Sequence, residues 1–343
     1  MNRFEKILFL WVALCMGAGL LLSQTVPGIG ETINSWQIHG ISIPIGICLF
    51  LMMYPALLNL QFSEIKKLGR NPKPILLTLF ANWIIAPVVA ALLARVFLQG
   101  QEQLIVAIIL LGSSPCTAMV LVWGKLADGN QEQNVITTSI NTITIMFLYV
   151  PVVTLLTGIQ NITIDRWMLF ISALIFIGAP LLAGIFSKRL IIRRKGQAWF
   201  HDVYRPIVSK ISIVALLVTL IVLFSLNGQV LLTNFDLLGL VSIPLLLGFV
   251  IVVGFNLLIT RLFGLQYREG IITVLIGSSS HFEIAIAAAV AMYGVGSLAA
   301  LGTTMGLFWE VPIMLGLVQL GKYLNKRHFW KTEKSAEQIA LSR

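Results

Sequence analysis

Ten long apolar stretches follow one another along the chain, and they constrain its fold more than any other feature. A helix that crosses a lipid bilayer needs about 20 mostly apolar residues. Stretches of about that length occur at 6–25, 41–60, 75–97, 103–125, 134–158, 167–186, 211–228, 237–263, 268–293 and 298–320. The longest connection, 187–210, is basic and too short for a soluble domain. The sequence therefore predicts an all-α integral membrane protein with ten transmembrane helices.

The distribution of charge supports this prediction and orients the chain. Charged residues make up 11% of the 343 residues, whereas soluble domains carry roughly 25%. Lys and Arg accumulate on the cytoplasmic side of membrane proteins. With ten spans, all 24 Lys and Arg residues except Arg95 and Arg166 lie on the side that carries both termini. We therefore expect both termini in the cytoplasm, and we attribute the net charge of +10 to orientation and not to a nucleic acid partner.

Three short sequence matches recur along the chain at nearly constant spacing. They pair residues 112–114 with 277–279 at an offset of 165, 95–97 with 261–263 at 166, and 149–151 with 310–312 at 161. Because each half would contain five spans, an odd number, the two halves would insert in opposite directions. We therefore predict two inverted five-helix repeats, 1–160 and 161–322, followed by a cytoplasmic tail at 323–343.

Small residues interrupt the fourth and ninth stretches at matching places, Gly112–Cys116 and Gly277–His281. Unpaired backbone groups at that depth are tolerated only where they line a cavity or pack within protein. Paired interruptions in two halves are a pointer to a transport site. A face of small residues that lets helices approach closely is the alternative interpretation.

Glu283 and Glu310 are the two acidic residues that lie well inside apolar stretches. An ionised side chain at mid-membrane costs at least about 2.5 kcal/mol, so such residues usually serve transport. Glu283 is predicted to take up a proton on one side and release it on the other; a structural acid that binds the interrupted backbone is the alternative. Glu310 has either the same role or satisfies groups that Pro312 frees.

Cys116 follows Pro115 at the first interruption, where a thiol would meet an entering substrate. Thiolates select soft, thiophilic centres. A small buried hydrophobe is the alternative, and it is our interpretation of Cys15 and Cys48.

Other polar residues near the two interruptions could contact a substrate. His281 is either such a contact or a satisfied core group. Asn141 and Asn82 could bind a hydroxylated substrate or hold helices together. The predicted substrate-contacting set is completed by Ser114, Thr117, Ser279 and Ser280.

Sequence signatures of soluble enzymes do not occur in the chain. The sequence contains no Gly-rich phosphate loop ending in Lys-Ser/Thr, no His-Glu-x-x-His and no Gly-x-Ser-x-Gly. We expect a secondary transporter that needs no cofactor, and not an enzyme. An intramembrane enzyme that uses Glu283 and His281 as an acid–base pair is the remote alternative.

The string Cys116–Trp123 resembles one known family, the ten-helix arsenite efflux permeases of the yeast-type arsenical-resistance group. These permeases belong to the bile acid/arsenite/riboflavin transporter superfamily. Further similarities to the family lie at 51–55, at Asn82-Trp83 with Pro87, at 282–287 and at 310–312.

The resemblance implies a core domain with two crossed, broken helices, the fourth and the ninth, and a panel domain packed against it. It implies that Cys116 and Glu283 are the essential pair, and that Cys116 binds trivalent arsenic as the transported substrate. The family exports arsenite, and in some members antimonite, across the plasma membrane in exchange for protons. His281 replaces a typical asparagine, and Thr142 follows Asn141 where aspartate is common. A sodium-coupled organic anion carrier of the same superfamily is therefore the alternative.

Overall fold

The computed structural model describes residues 8–26, 28, 32, 35–38, 41–58, 71–117, 119–233, 235–294 and 296–331. Over these ranges the chain is helical apart from short connections and one antiparallel pair of two-residue strands. Several basic residues of the orientation argument and most of the predicted tail lie outside the described residues: Arg3, Lys6, Lys66, Lys67, Arg70 and 332–343.

The first half of the chain forms six of the described helices. They are α1 (Leu8–Thr25), α2 (Ile43–Leu58), α3 (Lys73–Phe97), α4 (Glu102–Gly112), α5 (Met119–Leu126) and α6 (Gln131–Ile159). The short strands β1 (Gln37–Ile38) and β2 (Ile41–Ser42) pair antiparallel in front of α2. Helix α3 contains a π-helical turn at Ala81–Ile85, where backbone hydrogen bonds join residues five apart in sequence instead of four.

The second half forms six more described helices. They are α7 (Arg166–Lys195), α8 (Gln197–Trp199 continuing through Arg205–Thr233), α9 (Phe235–Leu262), α10 (Tyr267–Gly277), α11 (Phe282–Tyr293) and α12 (Leu298–Lys326). Helices α7 and α8 contain π-helical turns at Leu174–Gly178 and Phe200–Tyr204. Thus the predicted fourth span consists of α4 and α5, and the predicted ninth of α10 and α11.

The basic stretch 187–210 is not the long connection that the hydropathy pattern predicts. Helix α7 continues to Lys195 and α8 begins at Gln197, so the chain turns at Gly196, whose φ is 86°. Glycine adopts this left-handed conformation without a steric penalty. The expectation was wrong because Lys and Arg are good helix formers, so basic residues extend a transmembrane helix beyond its apolar part.

Six described helices are long and apolar enough to cross a membrane. They are Lys73–Phe97, Gln131–Ile159, Arg166–Lys195, Gln197–Leu226, Gly239–Leu262 and Leu298–Lys326. Large apolar side chains such as Phe147, Val250 and Leu262 are exposed on their outer faces, as lipid contact requires. The chain is therefore a multi-pass membrane protein, while the number of ten spans and the inversion of the halves stay predictions.

The described helices pack as two groups. A four-helix group contains α1, α2, α7 and α8, and a central group contains α3–α6 and α9–α12. Close approach of α1 to α8 depends on glycine: a Cβ added to Gly19 would lie 2.7 Å from the Ile221 carbonyl oxygen. Small residues allow such backbone contact between membrane helices. The first turns of α7 pack against α11 and connect the two groups.

Candidate transport site at the helix crossing

The two interrupted helices of the central group end at glycines for the same steric reason. Helices α4 and α10 have 11 residues each, and the offset of 165 applies to both of their ends. A Cβ added to Gly112 would lie 2.3 Å from the Ala90 Cβ of α3, and one added to Gly277 would lie 2.7 Å from the Asn256 Oδ1 of α9. Only glycine therefore fits at either helix end without displacing its neighbour.

The structure brings the two interruptions together as an antiparallel crossing. We call residues 113–117 the first break and residues 278–281 the second break. The backbone N–H of Cys116 donates to the Ser279 carbonyl at 3.2 Å, and that of His281 donates to the Ser114 carbonyl at 2.6 Å. Each break therefore satisfies backbone groups of the other, which buried backbone requires.

Glu310 of α12 holds the second break from one side. Its Oε1 accepts bonds from the Ser279 hydroxyl at 2.5 Å and the Ser280 N–H at 3.0 Å, and its Oε2 accepts from the Ser280 hydroxyl. Its carboxylate oxygens thus accept hydrogen bonds from groups of the second break and not from groups that Pro312 frees. Hydrogen bonds to a charged acceptor are stronger than neutral ones, so Glu310 fixes both serine hydroxyls.

A second chain of polar contacts runs from the first break to α11. Thr117 Oγ1 and His281 Nδ1 share a hydrogen bond of 3.0 Å, and His281 Nε2 lies 3.6 Å from Glu283 Oε2. The His281 side chain also hydrogen-bonds to the backbone of Pro115. All of these groups are buried. His281 therefore links both breaks to the carboxylate of Glu283.

Cys116 is buried within the first break, and two asparagines support the backbone around it. The Asn141 side chain of α6 donates to the Cys116 carbonyl at 3.3 Å and accepts from the Asn82 amide of α3 at 3.3 Å. The Cys116 side chain is 2% exposed and forms no disulfide with Cys15 or Cys48. The thiol is therefore closed to solvent in this conformation.

A cavity of about 80 Å³ lies beside the crossing. Its polar lining consists of Asn82, Ser114, Ser278, Ser279 and Ser280. Its remaining lining is apolar and comes mainly from α3, α4 and α9, including Val89, Leu111, Pro244, Phe249 and Val252. Cys116, Thr117, His281 and Glu283 do not line it. The predicted site residues thus divide between a cavity face and a thiol face of the same crossing.

Two asparagines near the breaks were not predicted from the sequence. Asn256 donates to the Ser278 hydroxyl at 3.1 Å, and Asn134 donates to the Val120 carbonyl at the start of α5 at 3.0 Å. Both are fully buried. A signal was present in the sequence, because an amide inside an apolar stretch requires a polar partner.

No group of three or more His, Cys, Asp or Glu side chains suited to a metal ion occurs in the part of the chain that the structure describes. Two interrupted helices that meet in the interior of a multi-pass helical protein are typical of membrane transporters.

Comparison with known sequences identifies the family. The family model described as Sodium Bile acid symporter family matches residues 46–234, which is more than half of the chain. The chain therefore belongs to this family of transporters.

Three relatives align with nearly the whole chain. An uncharacterized transporter of Synechocystis is 40% identical over 353 residues, covering 96% of this chain and 90% of its own. The arsenical-resistance protein Acr3 of Alkaliphilus metalliredigens is 32% identical, and the alignment covers 97% of this chain and 96% of the relative. The arsenical-resistance protein Acr3 of Corynebacterium glutamicum is 30% identical, and the alignment covers 95% of this chain and 90% of the relative. The resemblance to arsenical-resistance permeases is therefore confirmed.

Proposed function

We propose that this protein exports arsenite across the plasma membrane in exchange for protons, with antimonite as the chemical analogue that it also carries. One observation carries the proposal: Cys116 lies in the first break, Glu283 lies in the first turn after the second break, and the breaks are hydrogen-bonded to each other. The near full-length similarity to two proteins named Acr3 supports it.

Cys116 supplies the chemistry that trivalent arsenic requires. Arsenic(III) is a soft centre that prefers sulfur ligands. The thiol is closed off in this conformation, since the backbone around it bonds to Ser279 and to Asn141. Binding at the thiol therefore requires the two breaks to move apart, and this movement exposes the site to one side of the membrane.

Glu283 supplies the coupling to protons. A charged carboxylate is attracted to the His281 ring at 3.6 Å, and His281 bonds to Thr117, the residue after Cys116. A proton on Glu283 removes this attraction and changes the contacts beside the thiol. Proton entry then favours release of arsenite, and proton loss restores the binding arrangement.

The proposal includes ten spans, inverted halves and cytoplasmic termini. The four-helix group corresponds to a panel and the central group to a core. The end of α7 carries Arg193, Arg194 and Lys195 together, and we place it on the cytoplasmic side because basic residues are retained there.

A sodium-coupled carrier of organic anions is the second candidate, because the family model takes its name from sodium and bile acid. The cavity argues against it. Its volume of about 80 Å³ is too small for a steroid, and none of its described lining residues carries a charge that would bind an anion.

A growth assay tests the proposal. Cells that lack arsenite exporters are expected to survive arsenite when they express this protein. The Cys116→Ala variant is expected to abolish survival, whereas Cys48→Ala in α2, with equal abundance in the membrane, is expected to keep it. Equal survival of both variants would eliminate the role of the thiol.

A further inference from the structure

We propose that the cavity beside the crossing accepts hydrogen bonds much more than it donates them, so that it selects neutral, hydroxyl-bearing solutes and rejects anions. The proposal rests on the proposed function, because it assigns the form of arsenite that enters the site as the uncharged trihydroxide. It makes Glu310 a positioning residue that determines specificity.

Three serine hydroxyls that line the cavity donate their protons to groups of the protein. Ser114 donates to the Leu111 carbonyl at 2.9 Å, and Ser279 and Ser280 each donate to Glu310 at 2.5 Å. A hydroxyl has one proton and two lone pairs. These three oxygens can therefore only accept hydrogen bonds from a solute.

Backbone N–H groups at the crossing are occupied as well. In the second break, those of Ser280 and His281 donate to Glu310 and to the first break at 3.0 and 2.6 Å. In the first break, that of Cys116 donates to the second break at 3.2 Å, and Pro115 has no N–H. These N–H groups are therefore not available to bind an anion in the way that N–H groups at helix ends usually do.

Two side chains that line the cavity still have a proton that they can donate to a solute. Asn82 uses one amide N–H on Asn141 and retains the other, together with its carbonyl oxygen. Ser278 accepts from Asn256 at 3.1 Å and retains its own hydroxyl proton. Among the side chains of the described lining, five oxygens can thus accept a hydrogen bond, because Ser278 keeps a second lone pair, whereas two groups can donate one, and no lining residue is charged.

This balance fits a small neutral polyhydroxide. Arsenic trihydroxide presents three O–H donors, and a cavity of about 80 Å³ has room for a solute of a few heavy atoms. An anion would meet acceptors that cannot pair with it, and it would lie close to the Glu310 carboxylate. Repulsion between like charges is strong where water is excluded.

Glu310 creates this excess of acceptors because its two carboxylate oxygens accept the hydrogen bonds of both serine hydroxyls. In a Glu310→Gln variant the side chain keeps its shape, but the amide nitrogen donates to one serine. That serine must then direct its own proton elsewhere, and the cavity is the open direction. The variant therefore converts one acceptor into a donor without creating a void.

Boric acid is the probe that isolates this property. It is neutral and carries three hydroxyls, and it has no affinity for thiols. We expect it to bind the purified full-length protein, by thermal shift and by competition with arsenite, and to bind Cys116→Ala equally well. Acetate and nitrate are expected not to bind. Glu310→Gln should weaken boric acid binding about tenfold, and the exposed Glu102→Gln should leave it unchanged.

The outcomes separate this proposal from the function on which it rests. The inference would be overturned, even if arsenite is exported, by any of three results. These are that boric acid does not bind, that acetate binds equally well, or that Glu310→Gln keeps the wild-type affinity for boric acid. If boric acid binds as expected but arsenite is not exported, the result contradicts the proposed function instead. If Glu310→Gln does not fold, Ser280→Ala, which removes one acceptor, should give a similar loss.

Discussion

The first break and the second break share a backbone arrangement and differ in the side chains that hold them. The second break is bound by the Glu310 carboxylate through three hydrogen bonds. At an offset of 161 residues, Tyr149 takes the corresponding position in the first half, and its buried hydroxyl has no hydrogen-bond partner. The first break is instead supported by the Asn141 amide.

Under the proposed function, this difference gives the two breaks separate tasks. The second break is surrounded by two buried acids, Glu283 and Glu310, and is suited to charge and protons. The first break contains the thiol and is supported by neutral amides. A transporter that binds a soft neutral solute against a proton needs both environments, and a crossing of two unlike breaks places them side by side.

The largest effect is expected for the acid on the thiol face. Glu283→Gln keeps the shape of the side chain but cannot exchange a proton, so arsenite export should fall to the level of cells without the protein. Glu102→Gln, an exposed acid at the start of α4, should retain full export. Export from arsenite-loaded cells measures both. Undiminished export by Glu283→Gln would place the coupling elsewhere.

Next in size is the effect of adding one methyl group at the two helix ends. Gly112→Ala should lower the free energy of unfolding by about 1–3 kcal/mol, because the methyl would lie 2.3 Å from the Ala90 Cβ. Gly277→Ala should cost less, since the Asn256 amide can move. Thermal unfolding in detergent compares the two, and Gly17→Ala, with nothing within 4 Å, is the control. The reverse order would contradict the packing.

A smaller loss is expected when the first break loses its amide. Asn141→Ala leaves the buried Cys116 carbonyl without that donor and should destabilise the protein by about 1 kcal/mol. Arsenite affinity should fall with it. Asn325→Ala, an exposed amide at the end of α12, should change neither quantity. Equal stability of the two variants would show that the amide is dispensable.

The smallest effect is expected at Tyr149. Removing a buried hydroxyl that has no partner costs nothing and relieves a desolvated polar group, so Tyr149→Phe should be neutral or slightly stabilising. Glu310→Gln, at the matching position of the other half, should reduce the unfolding temperature. If both variants behave alike, the two breaks are held in equivalent ways and the comparison fails.

Much of the helical framework could be predicted from the sequence, because apolar length and small residues are local signals. The Gly-Ser-Ser strings correctly indicated where α4 and α10 end. The strand pair β1 and β2 and the π-helical turns were not predicted, since they depend on packing and not on hydropathy. The helical segments within 187–210 are not predicted because hydropathy marks only the apolar part of each helix.

The site could be predicted only in part, because its contacts join distant segments. Glu310 was recognised as unusual, yet its bonds to Ser279 and Ser280, about 30 residues earlier in the chain, depend on how α12 packs against the second break. Asn256 was overlooked although it lies in an apolar stretch. The division of the crossing into a cavity face and a thiol face requires three-dimensional placement.

The central claim is that one crossing couples a thiol-binding solute to a proton. The most direct measurement is arsenite flux into sodium-free liposomes that contain the purified protein, with and without a pH gradient. The account predicts flux that the gradient drives in wild type and that is lost in both Cys116→Ala and Glu283→Gln. Flux that requires sodium and ignores the pH gradient, or that persists in Cys116→Ala, would contradict the account.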